Sequence, residues 1–200
     1  MEQGSIEWFQ ERAGKATASR FKDIIATIKS GEAAVRRNYK AQLVVERLTG
    51  VAQETYTNAA MQYGTETEPL ARIAYEFRTD NKVSEVGFIQ HKELLAGCSP
   101  DGLIGTDGGV EIKCPFQSAV HIETLLNGMP KEHMAQIQGT LWITGRSWWD
   151  FVSFDPRLPA HLQLYIKRVE RDSEYIENLE AEILEFLDEV SETVKRLEAL

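Results

Sequence analysis

The sequence predicts an α/β fold in which helices flank a five-stranded mixed sheet, and three observations carry that reading. Apolar residues recur at helical spacing up to about residue 79, and the period falls to two between about 82 and 115. A helical pattern then returns twice before two further strands and a long amphipathic helix. The order helices, three strands, helices, two strands places layers on both faces of a sheet.

Each element has a local cause. TASRFKDIIATIKS offers Thr17 or Ser19 as a helix cap, and Phe21, Ile24, Ile25 and Ile28 predict a helix over about 19–29. EAAVRRNYKAQLVVERLTG sets Val35, Tyr39, Leu43 and Leu48 near one face and stops at Gly50, a usual helix end. The next helix is expected to open near Glu66, because Pro69 suits only a first turn, with Leu70, Ile73, Ala74 and Phe77 facing the core. KVSEVGFIQH, ELLAGCS and GVEIKCP read as a meander of three strands, the last two joined by Thr106-Asp107-Gly108-Gly109 turn chemistry. QSAVHIETLLNG and KEHMAQIQGTLWITG are helical, SWWDFVSFD and HLQLYIKRVE are strands, and an acidic amphipathic helix spans about 173–198.

Composition narrows the class. With 200 residues, 42% of them apolar and 26% charged, the chain fits one globular domain over 1–200. There is no run of eighteen apolar residues and no basic-then-apolar leader, so a cytoplasmic protein without membrane contact is expected. Cys98 and Cys114 read as small core residues, and the histidines lack any zinc spacing. Trp142, Trp148 and Trp149 fall in apolar patterns and read as core. The net charge of −9 is misleading about nucleic acid: residues 170–200 alone carry −8, whereas positions 12–47 hold nine bases against three acids. A basic N-terminal face is therefore available to a phosphate backbone.

The densest chemistry lies in SPDGLIGTDGGVEIKCP, residues 99–115. Residues two apart in a strand point the same way, so Glu111 and Lys113 share one face while Val110, Ile112 and Cys114 share the other. A turn at Asp107-Gly108-Gly109 would set Asp101 against Glu111. Two carboxylates within ~4 Å repel unless a proton or cation sits between them. Mg²⁺ suits that place, with the Ile112 carbonyl as a further oxygen ligand. Lys113 beside a metal-bound water would orient it and stabilise its deprotonated form during attack on phosphorus, which makes the reaction phosphodiester hydrolysis. Spacing alone favours an ordinary hairpin with a surface ion pair between Glu111 and Lys113.

The same stretch resembles the active-site hairpin of the phage lambda exonuclease family (YqaJ-like viral recombinases) within the PD-(D/E)XK nuclease superfamily, through Pro100-Asp101 and Glu111-Ile112-Lys113. RAGKATAS at 12–19, YGTETEPLAR at 63–72 and HMAQIQGTLWITG at 133–145 resemble the family in the same order. The resemblance implies a restriction-endonuclease-like fold with Asp101, Glu111, Glu68 and the Ile112 carbonyl as metal ligands. Gln136 would help hold the site, with Gln138 two residues away as its rival, and Arg12 and Ser19 would contact a terminal 5′ phosphate. A guanidinium suits that task because it grips phosphate oxygens bidentately. Ordinary roles stay open: a helix start for Glu68, a cap for Ser19, a surface charge for Arg12.

The further implications are a Mg²⁺- or Mn²⁺-dependent enzyme with two ions per site that degrades the 5′-ended strand of linear duplex DNA to mononucleotides. It would leave 3′ single strands for recombination, work as a homotrimeric ring beside a single-strand annealing protein, and belong to a phage or prophage in a bacterial host. The alternatives are a site-specific endonuclease on the same fold or a non-catalytic DNA-end-binding subunit. An iron–sulfur nuclease is disfavoured because two cysteines cannot supply four ligands.

Overall fold

The computed structural model describes residues 3–53 and 58–200. The chain opens with α1 (Ile6–Arg12), capped by the Ser5 hydroxyl, which accepts from the Trp8 amide at 3.2 Å. A short strand β1 (Ala16–Thr17) leads into a 3-10 turn at Ala18–Arg20 and a single helical turn, α2 (Phe21–Ile24). The expected helix over 19–29 is therefore cut short. Phe21 and Ile24 are buried, but Ile28 finds no core to face, and a helix without a buried stripe is marginal in water. Thr17 does occupy a cap position but makes no capping bond; its amide instead donates to the Tyr39 hydroxyl at 2.9 Å.

Helix α3 (Ala34–Thr49) ends at Gly50 in the left-handed region, φ +69°, as its sequence predicts. Its buried face holds Tyr39, Leu43, Val44 and Glu46, while Val35 and Leu48 face solvent. Helix α4 (Ala59–Thr79) begins seven residues before Glu66, capped by the Asn58 side chain, so Pro69 lies in its interior. Pro69 and Thr65 are both exposed, so water can take the Thr65 carbonyl that the missing amide leaves free.

The orientation of α4 overturns the expected core face. Thr67, Ala71 and Tyr75 point inward, while Leu70, Ile73 and Phe77 are 53%, 63% and 92% exposed. Burying each of these three would contribute about 1.5–3 kcal/mol. The opposing claim is the buried carboxylate of Asp150, since a buried charge stripped of partners costs several kcal/mol. Tyr75 donates to Asp150 Oδ2 at 2.6 Å, and Arg168 donates to both Asp150 oxygens.

Among the described residues eight strands form two sheets. The segment read as one strand over 82–91 divides into β2 (Val83–Ser84) and β3 (Ile89–Gln90), which join different sheets. Strand β4 (Ala96–Cys98) pairs with β3 and, in parallel, with β1, while β5 (Gly102–Ile104) and β6 (Gly108–Lys113) form the hairpin. After α5 (Ser118–Asn127) and α6 (Met134–Thr144) come β7 (Trp148–Phe154), β8 (Leu164–Glu170) and α7 (Ser173–Glu198). The main sheet runs β2-β5-β6-β7-β8, mixed because only β6 and β7 pair in parallel. The expected three-strand meander is thus corrected to a hairpin, with ELLAGCS assigned to the smaller sheet.

Gly108 and Gly109 lie in β6 and not in the turn, which Gly105-Thr106-Asp107 makes with Gly105 at φ +52°. Their task is clearance, because a Cβ on Gly108 would come within 2.0 Å of the Trp148 ring and one on Gly109 within 2.2 Å of the Trp149 ring, both on β7. One face of the sheet packs Val110, Ile112, Val152 and Phe154 against α4. On the other, Trp149, Phe151 and Val169 meet α6 and α7 in the larger core, with Cys98 and Trp142. No helix among the described residues is long and apolar enough to cross a membrane.

Candidate active site

Register brings the hairpin acids together. Gly102 pairs with Val110, so the next residue on each strand sets Asp101 opposite Glu111. Asp101 Oδ2 accepts the Ile112 amide at 2.6 Å. The amide and carbonyl of one strand residue face the same edge, so the Ile112 carbonyl is aimed toward Asp101 as well. Val110 and Ile112 pack toward α4, and alternation turns Glu111 and Lys113 to the α6 side.

Glu111 is only 2% exposed, and its Oε1 accepts from Lys113 Nζ at 2.6 Å and from Gln136 Nε2 at 2.5 Å. Gln136 Oε1 in turn accepts from Lys113 at 3.4 Å, closing a three-residue ring between β6 and α6. The ion pair of the ordinary hairpin reading exists, but it is not on the surface. Gln138 is excluded as the partner of Glu111 because its amide is committed to the Glu170 carbonyl and the Asp172 amide, at 2.9 and 3.0 Å.

Electrostatics couple the acids of the cluster. Burial, then the charges of Glu111 and Glu68, push the Asp101 carboxyl well above its usual range. Glu68 on α4 is also raised, first by burial and then by Glu111, with Arg72 opposing. Burial would lower the Lys113 ammonium, but Glu111 and Asp101 outweigh it and hold the group above its ordinary value. Three acids are thus held against Lys113 and, 4.0 Å from Glu68, Arg72. Their all-oxygen chemistry, with the Ile112 carbonyl, fits a hard divalent cation. Among the described residues no group of three or more acid, histidine or cysteine side chains is placed to hold a metal ion.

A second cluster adjoins the hairpin. The Arg12 guanidinium lies 3.7 Å from the Trp8 ring centroid and donates to Ser99 Oγ at 3.4 Å, and the Trp8 indole donates to the same oxygen at 3.0 Å. Arg12 and Ser19 line one cavity of 260 Å³ with Lys15, Thr17, Arg20 and Glu46. Ser19 serves no helix cap; its hydroxyl lies 3.4 Å from that of Thr17. Burial lowers the Arg12 pKa, the mark of a cation held out of water. Ser99, which joins Arg12 and Trp8, was not singled out from the sequence; it lies between β4 and β5, where the chain bends at Asp101, so no strand period pointed to it.

A mixed sheet whose hairpin presents an acid pair and a lysine, with a glutamate supplied by the preceding helix, defines an α/β nuclease fold of the PD-(D/E)XK type. The chain belongs to the YqaJ-like viral recombinase domain family, whose model matches residues 7–147. It is similar to the alkaline exonuclease LHK-Exo of Laribacter hongkongensis, at 45% identity over 98% of this chain and 97% of that one, with a TM-score of 0.90. The complex of that exonuclease with dAMP matches at a TM-score of 0.91. A phage-related exonuclease of Haemophilus somnus shares the fold, at 14% identity, a TM-score of 0.70 and coverage of 92% of this chain and 96% of that one. An uncharacterized protein of Acanthamoeba polyphaga mimivirus is 26% identical over 166 residues, spanning 76% of this chain and 29% of its own length.

Proposed function

We propose that the chain is a metal-dependent 5′-to-3′ exodeoxyribonuclease that digests one strand of linear duplex DNA to 5′-mononucleotides. The observation that carries this reading is the buried Glu111 carboxylate, held by Lys113 and Gln136 opposite Asp101. The likeness to LHK-Exo, an alkaline exonuclease also seen with dAMP, supports it. Asp101, Glu111, Glu68 and the Ile112 carbonyl would hold Mg²⁺ or Mn²⁺, two ions per site. The bound metal supplies charge neutralisation at the phosphate and lowers the pKa of the attacking water.

The chain's own residues do the rest. Lys113 leaves Glu111 to donate to the attacking water, and Gln136 keeps the Glu111 carboxylate aimed as that happens. Arg12 and Ser19, with Ser99, grip the 5′ phosphate of the strand end, and this makes the activity dependent on an end and not on a sequence. The exposed Leu70, Ile73 and Phe77 stripe on α4 supports packing against further copies, as a homotrimeric ring around DNA requires. Residues 1–200 act as one nuclease domain in the cytoplasm of a phage-bearing bacterium, and the 3′ strands pass to a single-strand annealing protein.

The test is digestion of linear 5′-phosphorylated, linear 5′-hydroxyl and closed circular duplexes with Mg²⁺ or with chelator. Wild type should digest only the linear forms and only with metal, Asp101→Ala should be inactive, and Arg12→Ala should lose the preference for a 5′ phosphate. Equal digestion of the circle, or an active Asp101→Ala, would overturn the reading.

A further inference from the structure

Beyond Lys113 the chain leaves the sheet through Cys114, Pro115 and Phe116, and this exit is held by more than its own backbone. Arg157 donates to the Phe116 carbonyl at 2.8 Å and to the Pro115 carbonyl at 3.0 Å. The same guanidinium is fixed by Asp155, through bonds of 2.7 and 2.9 Å to its two oxygens. Asp155 is fully buried; burial opposes its charge, but Arg157 and Ser118 hold its pKa down at about 2. On the opposite side the guanidinium lies 4.8 Å from the Tyr63 ring centroid, and Tyr63 meets Phe116 edge-on, with centroids 5.7 Å apart and planes at 80°.

Phe116 is nevertheless 49% exposed. A ring fixed from behind by an aromatic edge and a clamped backbone, yet wet in front, forgoes much of the stabilisation that burial gives. Its position is informative: it stands three positions beyond Lys113, so their Cα atoms lie at most ~11 Å apart. A base attached near a phosphate at Lys113 falls within that reach.

Resting on the nuclease reading above, we propose that Phe116, backed by Tyr63 and Arg157, is a stacking platform for one nucleobase of the strand being cut. Stacking suits an enzyme that must accept every sequence, since each base offers a π face. The clamp fixes the ring before DNA arrives, so little ordering entropy opposes binding.

The test couples the ring to the base. Linear 5′-phosphorylated duplexes, intact or with one abasic site at the first, second or third nucleotide of the 5′-ended strand, are digested by wild type, Phe116→Ala and Phe116→Trp. Wild type should show a KM rise of roughly tenfold for one of the three abasic positions, on the scale of a single base–aromatic stack. Phe116→Ala should show that rise on the intact duplex and no further rise with the abasic site, and Phe116→Trp should restore the wild-type pattern. Thermal unfolding of each variant separates misfolding from lost stacking. The platform is overturned if Phe116→Ala matches wild type on intact DNA, or if its penalty multiplies with the abasic penalty at all three positions. Absence of wild-type digestion of the intact linear duplex would overturn the nuclease reading instead.

Discussion

Replacing Gln136 by alanine should lower both stability and metal affinity, by amounts its contacts set. Gln136 donates to Glu111 at 2.5 Å and accepts from Lys113 at 3.4 Å, so the variant leaves a buried carboxylate with Lys113 as its remaining side-chain donor. A hydrogen bond to a charged group contributes about 1.5–3 kcal/mol, and the persisting Lys113 contact places this one near the lower end. For a chain of this size each kcal/mol moves Tm by about 2–4 °C, which gives a fall of about 3–6 °C in chelator. A partner that orients a metal ligand is worth about 10–100-fold in affinity or activity, so the half-saturating Mg²⁺ concentration for hydrolysis should rise at least tenfold. Gln138→Ala is the control. It breaks comparably buried bonds to the Glu170 carbonyl and the Asp172 amide, and should lower Tm without moving the Mg²⁺ dependence. An unchanged Mg²⁺ requirement in Gln136→Ala, or an equal shift in Gln138→Ala, would refute the reasoning.

Two more outcomes are expected. Because the folded Asp101 carboxyl is raised, the folded chain retains a proton that the unfolded chain releases near pH ~4, so stability in chelator should fall as pH climbs from there to the folded value. Asp101→Asn should therefore have a higher Tm than wild type in chelator at pH 7, with the gap closing in acid; a lower Tm at pH 7 refutes this. Phe77, 92% exposed on α4, should matter to assembly: Phe77→Asp should lower the mass measured by light scattering, and an unchanged mass removes α4 from any subunit contact.

What the sequence revealed, and what it hid, divides along local and tertiary causes. The end of α3 at Gly50 and the long stripe of α7 were legible because backbone conformation and helical period act within a few residues. The hairpin acids were legible for the same reason, since period two fixes Glu111 and Lys113 on one face. The face of α4 was not, because it is decided by Asp150, some seventy residues away, and apolar spacing alone favoured the wrong side. Gly108 and Gly109 resembled turn residues because the tryptophans that require them lie on β7, distant in sequence and brought alongside only by the sheet. Glu68 and Gln136 reached the site by family resemblance alone, and nothing in their local spacing would have joined them to Glu111.

Ser99 links two tasks with a covalent spacer. It accepts from Arg12 and Trp8 at the proposed end-gripping pocket, and two residues later the same connection between β4 and β5 delivers Asp101 to the hairpin. The Cα atoms of Ser99 and Asp101 lie no more than ~7 Å apart, whatever the helices around them do. Under the proposed function, the backbone itself would keep the grip on a strand end and the cutting acids from drifting further apart than two peptide units allow.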